Sequence, residues 1–218
     1  MEKYRIFNAA QLKYLAAAAM LLDHLALALQ ESLTPVLFDL LRGIGRTAFP
    51  LFAFFIVEGF LNTGHFRSYL GRMLLFACLS ELPYDLLVYG RPFASEGQNV
   101  LLTFVIGLMM LRLILMYQNR PAAIVLITGA AAGLAFFLKT DYDIAGILLI
   151  LLFFLFRENR PWQCLAGAVV MSWEWASLPS FLLIGAYNGC RGRQNRWFFY
   201  LFYPVHMILL YGLSRLAG

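Results

Sequence analysis

Charge is what this chain most lacks. Only 13% of its 218 residues are Asp, Glu, Lys or Arg, while 61% are hydrophobic and the mean hydropathy is +0.72. A soluble domain carries about a quarter charged residues and about half apolar ones. The composition therefore excludes a water-soluble globular protein and belongs to a membrane protein with several spans. Cysteine is equally sparse. Cys78, Cys164 and Cys190 are odd in number and stand at no metal-ligand spacing, so no disulfide framework is expected and they read as packing residues. Walker loops, Gly-rich dinucleotide fingerprints, metal-ligand clusters and Ser or Cys nucleophile motifs are all missing, which leaves covalent catalysis without support. The net charge of +5 is spread over loops. It reads as topology and anionic-lipid contact rather than nucleic-acid binding.

What the chain has in abundance is long apolar sequence. Runs fall near 9–31, 47–63, 69–90, 98–117, 121–138, 144–157, 162–174, 177–187 and 197–216. At about 20 residues per span, the length fits seven to nine helices and leaves no room for a separate soluble domain. Strand-like alternation is missing over most of these runs, so helices are the expected spanning element. The expected fold is an all-α polytopic transmembrane helical bundle of about nine spans, one domain over residues 1–218. The segment SLTPVLFDLLRG is too short to cross and is expected as a turn or interfacial helix. The N-terminal MEKYRIFNAAQLKYL shows no small-residue cleavage site after its first apolar run, so the first helix is read as a retained span. No repeat pointing to a solenoid or an inverted-repeat transporter is found.

Basic residues set the expected orientation. With a cytoplasmic N-terminus and nine crossings, the inside ends collect Lys3, Arg5, Arg67, Arg72, Arg120, Arg157, Arg160, Arg191, Arg193 and Arg196. The outside ends collect Arg42, Arg46, Arg91, Lys139 and Arg215. Merging 162–187 into one helix would give eight spans and move CRGRQNR outside, against the charge rule, so nine are preferred.

The ionisable residues inside these runs carry the chemistry. In KYLAAAAMLLDH, Lys13 and His24 are eleven residues apart. That is about three helical turns, hence one face and about 16 Å of rise. A buried ionisable group is costly and faces a polar cavity or a partner. A neutral imidazole is the cheapest to bury and suits proton transfer, so His24 is the leading candidate; the alternative is a histidine hydrogen-bonded to a neighbouring helix. Asp23 points about 100° away from His24 and is expected to pair elsewhere, with an arginine. In GRTAFPLFAFFIVEGF, Pro50 loosens an early turn and Glu58 lies deep in an apolar run. Glu58 either orients His24 or pairs with a basic residue on an adjacent helix. Arg46 is either part of the site or a cation reaching from a helix end to the interface.

In CLSELPYDLL, Glu81 and Asp85 share a face with Pro83 between them, which suggests cavity lining, cation binding or a paired arginine. Gln98 and Asn99 open the next span as caps or ligand contacts. Asp141 and Asp143, in KTDYDIAG, are candidate helix caps. His206 sits in the last helix, two residues after Pro204, and His65 is expected in a solvated loop.

The blocks LLDH, GRTAFPLFAFFIVEGFLNTGHFRSYLGRMLLFACLSELPYDLL, GQNVLLTF, DYDIAG, YNGCRG and FYLFYPVHMILLY, in that order, resemble the TraX family, named for the conjugative F-pilin acetylase. More loosely, Lys13 and His24 are similar to the Arg/Lys-x10-His motif of a larger class of integral-membrane acyltransferases. The resemblance implies a bacterial inner-membrane enzyme that moves an acetyl group from acetyl-coenzyme A to an amine or hydroxyl. It implies His24 as catalytic histidine, Lys13 as its motif partner, and His206 as the match to a C-terminal Tyr-Pro-x-His block. Glu58, Glu81, Asp85, Gln98, Asn99, Asp141 and Tyr142 fall on the remaining polar signature positions. Asp143 departs from the pattern, where the resemblance leads one to expect the glycine of Asp-Tyr-Gly.

On this reading no metal is needed. Lys13, Arg67, Arg72 and Arg120 are candidates to meet the phosphates of acetyl-coenzyme A, or else simple positive-inside anchors. Glu58 or Glu81 would fix the tautomer of His24 as it takes a proton from the attacking acceptor, a step typically worth 10²–10⁴-fold. The competing class is a proton- or cation-coupled transporter built on the buried acids and histidines. A third is an assembly factor without chemistry. The residues alone leave enzyme and transporter near even, and the resemblance favours the enzyme. The acceptor is open: a protein or peptide N-terminus, a sugar or a small molecule.

Overall fold

A computed structural model of the chain describes residues 5–217; Lys3, one of the expected inside-end cations, lies outside them. Apart from two isolated β-bridges, the regular elements among these residues are helical. They are α1 (Ala9–Ala28), α2 (Pro35–Arg46), α3 (Ala48–Asn62), α4 (Phe66–Tyr89), α5 (Val100–Met116), α6 (Pro121–Phe137), α7 (Asp143–Leu155), α8 (Arg160–Val170), α9 (Pro179–Gly185) and α10 (Arg196–Ala217). A single 3₁₀ turn, Trp175–Ser177, joins α8 to α9.

The helix boundaries follow local chemistry. Asn8 caps α1 through a reciprocal pair of bonds with Gln11, which satisfies orphan N–H groups of the first turn. Two further donors there, the N–H groups of Ala9 and Ala10, reach the carbonyls of Cys190 and Arg191. The YNGCRG segment thus closes over the start of α1. Thr34 caps α2 with Pro35 at its first position, where a missing N–H costs nothing. Asn99 caps α5, and Gly90 ends α4 at φ +69°. Pro83 is accommodated inside an unbroken α4.

Helices α3, α5 and α7 form the centre, where Leu51, Phe54, Val57, Leu108, Leu111, Ile147, Ile150 and Phe153 are all but inaccessible. A Cβ at Gly107 would overlap Ile150, so glycine brings α5 and α7 together. Outward-facing residues are apolar as well. Val125, Leu126, Phe137, Leu182 and Leu209 are each more than 60% exposed, a surface unsuited to water.

By length and composition, two helical stretches among the described residues suffice to cross a membrane, Pro35–Asn62 and Trp197–Leu216. Val100–Met116, Pro121–Phe137 and Asp143–Leu155 are apolar but shorter. The expected spans at 162–174 and 177–187 become α8 and α9, of 11 and 7 residues. Those rise only about 16 and 10 Å, against a hydrocarbon core of about 30 Å. Neither is long enough to cross alone. The polar and aromatic stretch Ser172–Trp175 ends the first, and Pro179 opens the second. SLTPVLFDLLRG forms α2, a helix with Val36, Leu37, Leu40 and Ile44 exposed along one side; its other side lies on α1.

The antiparallel packing gives the bundle two ends. One gathers Lys13, Glu58, Arg160 and the segment 187–192; the other gathers His24, α2, Glu81, Asn99, Asp141 and Glu174.

Candidate functional site

The site is built where α1 meets α10. His24 is 9% exposed and His206 4%, and Nδ1 of His24 lies 2.7 Å from Nε2 of His206. The rings stack at 4.9 Å between centroids with 20° between planes, and Tyr203 abuts both edge-on. The other nitrogen of His206, Nδ1, lies 2.6 Å from the carbonyl oxygen of Phe202. A carbonyl only accepts, so His206 carries a proton on Nδ1, and its Nε2 in the neutral ring is an acceptor. His24 therefore donates from Nδ1, and its own Nε2 holds the free lone pair. The pair is a directed chain from His24 through His206 to a backbone carbonyl, with one basic nitrogen at its head.

His24 is on the wall of a chamber of about 50 Å³ lined also by Asp23, Arg46, Phe49, Asp141, Tyr142 and Tyr203, among others. Since about 10–15 Å³ is enough to admit a water, the chamber has room for a few waters or a group of acetyl size. Helix α2 brings two arginines to its edge. Arg42 Nη1 donates to Asp23 Oδ2 at 2.6 Å, the arginine partner expected for Asp23. One turn on, Arg46 lies 3.5 Å from Glu174 and donates to the Tyr142 hydroxyl at 3.5 Å. Gly45 permits this approach, because a Cβ there would overlap the Asp23 side chain.

The loop before α7 is braced from α5. Gln98 and Thr140 form a short parallel bridge, with Gln98 N donating to Lys139 O and Asp141 N to Gln98 O. Thr103 Oγ1 donates to the Asp141 carbonyl at 2.5 Å. Tyr142 and Asp143 both take positive φ, +61° and +44°. Asp143 occupies a left-handed position that favours glycine, the residue that the sequence pattern leads one to expect there. It opens α7 without a side-chain cap, and Asp141 Oδ1 instead accepts from the Tyr142 N–H. Glu81 Oε2 takes both the backbone N–H and the side-chain amide of Asn99. That amide also donates to Ala77 O at 2.9 Å, and Asp85 Oδ2 accepts from Ala94 N at 2.9 Å. Glu81 and Asp85 thus hold the 94–99 loop. Neither lies on the chamber wall, nor do Gln98 and Asn99.

Lys13 and Glu58 lie at the opposite end. Lys13 Nζ stands over the rings of Phe55 and Phe199, at 5.1 and 5.9 Å. Glu58 faces Arg160 at 4.0 Å, and Arg160 itself lies over Phe54 and Tyr187. Arg72 stands over Tyr200 at 6.0 Å, and Arg67 is exposed. The hydrogen-bond partner of His24 is accordingly His206, and neither Glu58 nor Glu81 occupies that place. No cluster of three or more metal-ligating side chains occurs among the described residues.

Residues 8–214 match the model of the TraX protein family. The chain belongs to the TraX family. A relative, the probable fimbrial assembly protein FimC, serogroup H1, of Dichelobacter nodosus, is 31% identical over an alignment of 235 residues that covers 94% of each chain. No solved structure matches.

Within this TraX-family chain, three contributors to the site escape a reading of the sequence: Arg42, Glu174 and Tyr203. Arg42 and Arg46 are one turn apart on an amphipathic helix, and an acid in a neighbouring span demanded such a cation. Glu174 carried no comparable signal, because its contact depends on where the turn after α8 lands. Tyr203 precedes the Pro204–His206 block and was visible only as another aromatic.

Proposed function

We propose that this protein is a membrane-embedded acetyltransferase in which His24 is the general base. The observation that carries the reading is the His24–His206 contact of 2.7 Å, whose bonding to Phe202 leaves Nε2 of His24 as the free acceptor of a residue on the wall of a small chamber shared with Asp23, Arg46 and Asp141. A buried histidine oriented by a second group, with one nitrogen free, is the arrangement that general-base acyl transfer needs. The acetyl donor is acetyl-coenzyme A, which supplies an activated carbonyl and a thiol leaving group.

The chain's own residues divide the work. His24 takes the proton of the attacking amine or hydroxyl and returns it to the departing sulfur. His206 holds the ring and its tautomer. No acetyl-enzyme is required. Lys13 and Arg72, cations held over aromatic rings at the opposite end, would meet phosphates there. The chamber's size suits the reacting end of the thioester alone.

The bundle lies in the bacterial inner membrane with the Lys13 end cytoplasmic. The long helices cross it in an antiparallel bundle, α2 lies as an interfacial helix, and α8 and α9, each too short to cross alone, form a hairpin that returns the chain to the Lys13 end. The basic ends favour that orientation. The fimbrial-assembly name of the relative supports an amine of a fimbrial protein as acceptor.

The test uses protein in lipid nanodiscs with acetyl-labelled thioester. Label transfer and coenzyme A release are followed for wild type, His24→Ala and His24→Gln. Loss of both in the variants is expected. Thioester consumption equal to wild type in either variant would remove His24 from the chemistry, and proton- or cation-driven flux without thioester loss would favour a transporter.

A further inference from the structure

His24 occupies one part of the chamber wall; the groups beside it do different chemistry. Arg46 and Tyr142 line the same 50 Å³ space. Arg46 Nη1 donates to the Tyr142 oxygen at 3.5 Å. The phenol oxygen is thus an acceptor towards Arg46, and its own O–H has no acceptor among the described residues. A guanidinium donating onto a hydroxyl polarises it, which makes that hydroxyl a stronger donor.

The phenol is held with unusual care. Its ring lies flat on Phe49, with centroids 3.6 Å apart and 3° between planes, and Phe49 stacks in turn on Phe104. Gly146 leaves the room: a Cβ there would press on Thr103, Phe49 and Tyr142 together. The backbone of Tyr142 is itself in the left-handed region at φ +61°. Such a conformation is unfavourable for a non-glycine residue, and it persists only where surrounding packing enforces it. The enforcement comes from Thr103 and Gln98, which pin Asp141, the residue before it.

We infer that Tyr142, polarised by Arg46, is the oxyanion donor of the chamber, facing the carbonyl oxygen of a bound thioester while His24 serves the attacking group. The inference rests on the acetyl-transfer reading and deepens it. The acceptor nitrogen's lone pair forms a bond to the acetyl carbon, and the C=O π pair moves onto oxygen, where the Tyr142 O–H meets it. The proton on nitrogen passes to Nε2 of His24. The oxygen pair then re-forms C=O, the C–S bond breaks, and the thiolate takes the proton from His24. The products are the acetylated amine and free thiol. Donors fixed in advance at the place where charge develops give the largest benefit in a small, dry site. His24 and Tyr142 share the wall of this one small chamber.

The test is Tyr142→Phe, which keeps the ring on Phe49 and removes only the O–H. Turnover should fall on the order of 100-fold, the usual loss for one oxyanion donor, with KM for acetyl-coenzyme A little changed. A ketone analogue of acetyl-coenzyme A, with methylene in place of the thioester sulfur and ¹³C at the carbonyl, gives a readout apart from turnover. Its infrared carbonyl band should lie lower on wild type than in water, and return towards the water value on Tyr142→Phe. Wild type that transfers acetyl beside an unimpaired Tyr142→Phe overturns this inference alone, as does a slowed variant with an unmoved band. Wild type that consumes no thioester overturns both readings.

Discussion

His24 and His206 are 182 residues apart in sequence and 2.7 Å apart in space. Their contact is directional, because the Phe202 carbonyl accepts the proton on the far side of His206. His206→Phe should therefore keep the fold of α10 and lose the acceptor that holds the His24 ring. Groups that orient a functional histidine typically matter by 10–100-fold. A fall in kcat of that size, at nearly constant KM for acetyl-coenzyme A, is expected in steady-state acetyl transfer. A His206→Phe variant with wild-type kcat would show that the pairing has no part in the proposed acetyl transfer.

Gly45 marks the closest approach of α2 to α1, against the Asp23 side chain. Gly45→Ala forces α2 outward and loosens the Arg42–Asp23 pair, whose partners are 23% and 13% exposed. Overpacking of this kind costs about 1–3 kcal/mol. A lower thermal midpoint in detergent, with activity lost in parallel, is the expected result.

Asp143 sits at φ +44°, a region that costs a side-chain-bearing residue about 1–2 kcal/mol relative to glycine. Asp143→Gly should raise the midpoint of thermal unfolding, because α7 begins with less strain. A midpoint below that of wild type would mean that the Asp143 carboxylate does something the backbone strain hides.

Asn99 joins three jobs: it caps α5, bonds Ala77 O on α4 and meets Glu81. It is wholly buried. Removing a cap costs about 1 kcal/mol, and a buried partner left unsatisfied adds about 1–3 kcal/mol. Asn99→Ala should accordingly unfold at markedly lower temperature, while Asn99→Asp should also fail because its carboxylate would meet that of Glu81.

Periodicity along one helix was readable in advance. The spacing of Lys13 and His24 put them on one face of α1, and the demand that a buried Asp23 find a cation led correctly to an arginine. Glu58 likewise has a basic partner, Arg160. What spacing could not supply was the identity of partners across the bundle. His206 was singled out for its type, yet nothing within α10 says which ring it will touch. Glu81 was equally plausible beside His24 until the 94–99 loop claimed it, because the competition between a loop amide and an imidazole is decided by helix packing. The lengths of α8 and α9 escaped for a similar reason. Apolar content marks a buried segment, but the turn at Trp175–Ser177 divides it by local backbone geometry.

The most direct check is the rate of the first turnover when enzyme in nanodiscs is mixed with acetyl-labelled thioester and an amine acceptor, compared between wild type and His24→Gln. Glutamine preserves a polar side chain of similar reach and cannot take the proton. The proposed mechanism predicts stoichiometric coenzyme A release by wild type and a fall of about 10²–10⁴-fold in the variant. Equal first-turnover rates in the two proteins would contradict it.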